Sequence, residues 1–121
     1  MTEDIDFWVR PTPENAKRVM RALVRFGAPV DSLGITEADF AQPRYGLHLG
    51  RPPVRIDFLT TMKGLSFEPA WENRVVEDFV GITINVIGRD DLLHNKLEVG
   101  RDKDLLDAAA IQKASERNSD L

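Results

Sequence analysis

Three aspartates stand in surroundings that read as strand. Asp4 and Asp6 lie in Asp4-Ile5-Asp6-Phe7-Trp8-Val9, and Asp57 lies in Val54-Arg55-Ile56-Asp57-Phe58-Leu59-Thr60. Aspartate is depleted in strands, so its presence here asks for a reason. Both segments alternate with period two. Ile5, Phe7 and Val9 share one face of the first, with Asp4, Asp6 and Trp8 on the other. Val54, Ile56 and Phe58 oppose Arg55, Asp57 and Leu59 in the second. If the two strands pair, the carboxylates can converge on one face. Converging carboxylates repel one another and need a cation. Hard divalent ions with oxygen ligands, Mg²⁺ above all and Mn²⁺ beside it, meet that need. Such ions serve phosphoryl and nucleotidyl transfer, where they neutralise developing charge and activate the attacking oxygen. Asp4, Asp6 and Asp57 are therefore the candidate metal ligands. The plainer alternatives are a solvated edge-strand face for Asp4 and Asp6, and an ion pair with Arg55 or Arg10 for Asp57.

The elements that must position these residues follow from capping and periodicity. Thr12 suits an N-cap and Pro13 a first helical position. Ala16, Val19, Met20, Leu23 and Val24 form an apolar helical stripe, and Gly27 stops it. Residues 28–44 read as loop with one helical turn capped by Thr36. Tyr45–Leu49 is a short strand. Ser66 can cap a short helix through Trp71. Arg74–Phe79 and Ile82–Ile87 read as a hairpin joined through Val80-Gly81. Asp90 or Asp91 can cap a helix over Leu92–Val99, ended by Gly100, and a last helix covers Lys103–Glu116. This order predicts an α/β (α+β) fold: a small mixed sheet with helices packed mainly on one face, in one domain over residues 1–121. Ile5, Phe7, Val9, Val19, Met20, Leu23, Ile56, Phe58, Val86 and Leu97 are the expected core.

Composition narrows the function classes. A length of 121 residues fits one domain. With 42% hydrophobic and 30% charged residues, low-complexity disorder and a coiled-coil rod are excluded. The chain has no cysteine, which removes disulfide scaffolds, thiolate zinc sites and a Cys nucleophile. A net charge of −4 disfavours a generally basic nucleic-acid binder. The helix face Lys17, Arg18, Arg21, Arg25 is the local exception, and it reads first as a solvated face. His48 and His94 lack ligand-like spacing, and Ser66 and Thr60 lack a His partner. No apolar run approaches the roughly 20 residues of a membrane span. The acidic N-terminus lacks the apolar core of a signal peptide. A soluble cytoplasmic protein is the expectation.

Taken in order, these residues resemble a known group. Asp4-Ile5-Asp6-Phe7, followed by Arg55-Ile56-Asp57-Phe58, is similar to the acidic signature of the polymerase-beta-like nucleotidyltransferase superfamily. Val86-Ile87-Gly88-Arg89-Asp90-Asp91-Leu92-Leu93-His94-Asn95-Lys96 and Gly100-Arg101-Asp102-Lys103-Asp104-Leu105-Leu106-Asp107 resemble the C-terminal part of its small bacterial branch, which includes toxins of the AbiEii type from toxin–antitoxin pairs. The resemblance covers roughly residues 2–113. It implies a nucleotidyltransferase-like domain and Mg²⁺-dependent transfer of a nucleotidyl group from an NTP to a hydroxyl of RNA, protein or a small molecule. It implies that Asp57 completes the metal site or serves as base, and that Lys96 neutralises phosphate charge, with Arg101 beside it. It also implies that Asp104 and Asp107 complete the site from the next helix. Read alone, Lys96 is a solvated helix lysine, and Asp104 and Asp107 suit the first turns of a helix. The family carries a Gly-Gly or Gly-Ser turn ahead of the first Asp, and the chain starts too close to Asp4 for one. An N-terminally truncated version is expected. The alternative is a catalytically inactive binding domain, whose uncovered apolar sheet patch a second copy or a partner chain would bury.

Overall fold

Alternating apolar residues near the N-terminus and in the fifties produce two strands that pair in parallel. The structure is a computed structural model and describes residues 3–51 and 53–119. Strand β1 is Glu3–Trp8 and β3 is Val54–Leu59, with β2, Gly46–Arg51, antiparallel to β3. The sheet order is β1-β3-β2. A parallel pair needs a long crossover, and here it contains the helices α1, Pro13–Phe26, and α2, Glu37–Phe40. The chain divides into two compact units, Met1–Thr61 and Met62–Leu121.

In the first unit the Thr12 hydroxyl accepts from the Asn15 N–H and opens α1. Gly27, at φ 96°, closes it with its N–H on the carbonyls of Leu23 and Val24. Asp39 accepts from the Thr36 N–H and fixes the single turn of α2. Ala16, Leu23, Ile35 and Phe40 make the buried core, and Leu47, Leu49 and Phe58 pack on it from one sheet face. Both helices therefore cover β2 and β3, and the edge strand β1 gets little. Ile5 and Phe7, expected in the core, are exposed, and so is Val54 on the same face. Val9 and Leu23 are buried as expected, whereas Val19, Met20, Ile56 and Phe58 are half-buried and Val24 is exposed. The buried stripe of α1 is thus narrower than its sequence suggests, because helix and sheet meet along one line.

The second unit comprises α3, Phe67–Glu72; the hairpin of β4, Val75–Phe79, and β5, Ile82–Val86; then α4, Arg89–Val99, and α5, Asp102–Ser119. Helix α4 starts earlier than predicted. Its N-cap is Gly88, and Asp90 and Asp91 fall in the first turn instead of capping it. A Cβ on Gly88 would come within 2.8 Å of the Asn73 carbonyl oxygen, so only glycine fits this approach. Val86 and Leu97, expected to be buried, are exposed. The hairpin packs no second layer on Val86, and Leu97 sits on the open side of α4.

The hairpin turn holds a strained residue. Val80 has φ 51° and Gly81 φ 79°, the two left-handed positions of a type I′ turn. Glycine takes that conformation freely; a β-branched residue resists it by roughly 1–2 kcal/mol. Val80 is 87% exposed, so its side chain contributes little packing. Val80→Asn should raise unfolding stability by about 1 kcal/mol. Chemical denaturation would measure it; an unchanged midpoint would mean the turn adopts another conformation in solution.

Candidate functional site

The acidic face belongs to the first unit. The β1–β3 register sets Asp4 beside Arg55 and Asp6 beside Asp57, and the β2–β3 register sets His48 beside Asp57. Neighbours at one register level point to the same side of a sheet. Asp4, Asp6, Arg55, Asp57 and His48 therefore share the face opposite the helices.

Asp57 is the pivot of this face and is only 6% exposed. Arg55 reaches it twice, with Nε 3.0 Å from Oδ1 and an Nη 3.1 Å from Oδ2. The same guanidinium lies 3.6 Å from Asp4 Oδ2. His48 Nδ1 donates to Asp57 Oδ1 at 2.6 Å, since a carboxylate can only accept. The His48 side chain is otherwise 60% exposed. Burial pushes the Asp57 carboxyl up, but the hydrogen bonds from His48 and Arg55 outweigh it and hold the group below the usual carboxylate range. Asp4 Oδ1 is buried and has no hydrogen-bond partner. Asp6 is exposed.

These donors suit a hard divalent cation in kind: carboxylate oxygens on one face, one of them buried with an open lone pair. Their arrangement is different. Arg55 stands between Asp4 and Asp57, in the place a cation would take. Among the described residues, no three His, Asp or Glu side chains gather into a group that could hold a metal. The ion pair of Asp57 with Arg55 is the plainer alternative that the sequence offers, whereas the contact of Arg55 with Asp4 and the part of His48 are not legible in any one strand alone. The signal for His48 was available: reading β2 and β3 as one hairpin with Leu49 opposite Ile56 puts His48 on Asp57.

The remaining candidates assemble in the second unit. Lys96 on α4 lies 3.3 Å from Asp107 and 3.7 Å from Asp104, both on α5. Asp104 is 1% exposed. It accepts from the Arg101 backbone N–H at 3.3 Å and from Arg101 Nε at 2.6 Å, so it caps the helix it belongs to. The Arg101 hydrogen bond, reinforced by the charges of Arg101 and Lys96, outweighs burial and lowers the Asp104 carboxyl, while Arg101 is raised by the same bond. Lys96, Arg101, Asp104 and Asp107 thus form a compact ion-pair cluster that staples α4 to α5. Asp91 on α4 keeps one buried oxygen without a hydrogen-bond partner.

Comparison with protein-family models, with curated proteins and with solved structures found no match. Among the described residues, no helix is long and apolar enough to cross a membrane.

Proposed function

We propose that the acidic face of β1 and β3 binds a divalent cation, Mg²⁺ or Mn²⁺, and serves nucleotidyl transfer from an NTP to a hydroxyl of RNA, protein or a small molecule. One observation carries this reading: the parallel register brings Asp4, Asp6 and Asp57 to one face, with Asp6 and Asp57 side by side. Asp4 and Asp6 would hold the ion together with Asp57. A bound ion would polarise the phosphate and offset its charge. Asp57, kept ionised by Arg55 and His48, would fix the position of both neighbours on the face. Lys96 and Arg101 stand in the ion-pair cluster of α4 and α5, and the sequence resemblance makes them phosphate contacts.

The test is thermal unfolding with and without millimolar Mg²⁺ or Mn²⁺. A ligand of the folded state stabilises it by about 2.7 kcal/mol at a hundredfold excess over its dissociation constant. The melting temperature should rise with the ion, and Asp6→Asn should abolish the rise. Transfer of label from an α-labelled NTP to RNA or protein then tests the reaction. No shift with either ion would sink the cation-dependent reading.

A specific observation favours a second reading, a binding domain without catalysis. Arg55 already ion-pairs with both Asp4 and Asp57, and Ile5, Phe7 and Val54 lie exposed on the reverse face of the same strands. Such a patch suits a second copy or a partner chain. Arg55→Ala separates the two readings. An ion-induced shift seen only in that variant identifies a site closed by arginine and supports the binding domain.

A further inference from the structure

From the β4–β5 hairpin we infer that the chain dimerises with a second copy of itself through antiparallel pairing of β5 with β5 of the other copy. The turn between Phe79 and Ile82 has two residues, and the register pairs Phe79 with Ile82, Glu77 with Ile84 and Val75 with Val86. In a two-residue hairpin these are the pairs that exchange ladder hydrogen bonds. Thr83 and Asn85 therefore turn their N–H and C=O groups away from β4. The sheet has only these two strands, so that edge is open among the described residues.

Charge decides which edge is used and by what. The edge strand β5 reads Ile82-Thr83-Ile84-Asn85-Val86, with no charge and no proline. Natural edge strands are usually blunted by one or the other. The opposite edge, β4, carries Glu77 and Asp78. The symmetric register of β4 on itself would set Glu77 against Glu77, roughly 5 Å apart, a repelling pair. The symmetric register of β5 on itself sets Ile84 against Ile84, Ile82 against Val86, and Thr83 against Asn85 with exchanged backbone hydrogen bonds. It also joins two largely apolar faces, each made of Val75, Phe79, Ile82, Ile84 and Val86, all of them exposed in the single chain, with Glu77 of the same face kept on the outer strand. The β4 strands then lie about 14 Å apart, three strand spacings. That exceeds the Debye length of about 8 Å at physiological salt, so the acidic outer strands barely oppose association. A strand identical to β5 meets every one of these conditions, which makes a second copy the occupant. The contact is isologous and closes on itself.

Analytical ultracentrifugation over a concentration series should show a monomer–dimer equilibrium. Thr83→Pro removes an outward N–H while sparing the ladder to β4, and Ile84→Lys sets two cations on the two-fold axis; both should give monomers with an unchanged circular dichroism spectrum. If Ile84→Lys fails to fold, Thr83→Pro decides alone. The chain has no cysteine, so Ile84→Cys gives a clean trap. Opposed residues at a non-hydrogen-bonded antiparallel site lie about 4.5–5.5 Å apart, within disulfide reach. Mild oxidation should link Ile84→Cys into a covalent dimer and leave Glu77→Cys, the equivalent site on β4, unlinked. A wild-type monomer at every concentration, or a dimer that survives Thr83→Pro, would overturn the inference.

Discussion

Phe40→Ala should cost about 3–5 kcal/mol of unfolding stability, the range for emptying a fully buried aromatic site. Phe40 is 0% exposed and is the largest buried apolar side chain of the chain's first unit. It meets Tyr45 edge to face with centroids 5.0 Å apart, and Phe58 at 6.3 Å in the same manner. The ring also ends α2, a helix of four residues in which it is the one buried side chain. Removing it therefore opens a cavity and unties the turn that seals α1 onto β3. Phe7→Ala is the control. Phe7 stacks on Phe58 at 5.4 Å but is exposed at the sheet edge, so its loss should cost about 0.5–1.5 kcal/mol. Urea denaturation of both variants checks the order. Equal costs would mean that the core is centred on β1, where the alternation of Ile5, Phe7 and Val9 first suggested it.

That alternation is a local signal, and local signals define most of the elements. The helix α1 with its Thr12 and Gly27 caps, the hairpin through Val80-Gly81, and the strands around Asp6 and Asp57 all follow from neighbouring residues. What failed depends on where a neighbouring layer stops. Ile5 and Phe7 have the pattern of core residues, but only the position of α1 over β2 and β3 determines that they stay open. Val86 and Leu97 failed for the same reason. At the candidate site the sequence supplied the carboxylates and the face they share. It supplies the partner on the same strand but not the one on another strand, which is a matter of register. Arg55 lies two residues from Asp57 and was visible as an ion-pair candidate. His48 is nine residues away and comes into contact only through a hairpin pairing. The lysine and aspartates of the C-terminal helices show the converse. Lys96, Asp104 and Asp107 do come together, and their mutual charge balance explains the contact without any ligand.

Asp57→Asn should destabilise the chain above pH 5 and lose that effect in acid. Both Asp57 oxygens accept from charged or chargeable donors, Arg55 and His48. Hydrogen bonds to a charged group are worth about 1.5–3 kcal/mol. Arg55 and His48 are partly exposed, so solvent screening reduces the expected loss to about 1–2 kcal/mol. The pH dependence has a definite sign. The folded carboxyl titrates below its ordinary value because the bonds from His48 and Arg55 outweigh burial. A carboxyl lowered in the folded state contributes stability above its unfolded pKa of about 3.9, and that contribution disappears as pH falls through the folded value. Asparagine cannot titrate in this range. The stability gap between wild type and Asp57→Asn should therefore be present above roughly pH 5 and close as pH falls below about 4. Urea denaturation at stepped pH measures it directly. A gap that persists undiminished as the carboxyl is protonated would show that the amide group in place of a second oxygen causes the loss and that the charge does not. The same series with millimolar Mg²⁺ present adds a second reading. An ion held by Asp4, Asp6 and Asp57 would widen the gap above pH 5, since asparagine removes one of its ligands, and would leave the acid limb unchanged.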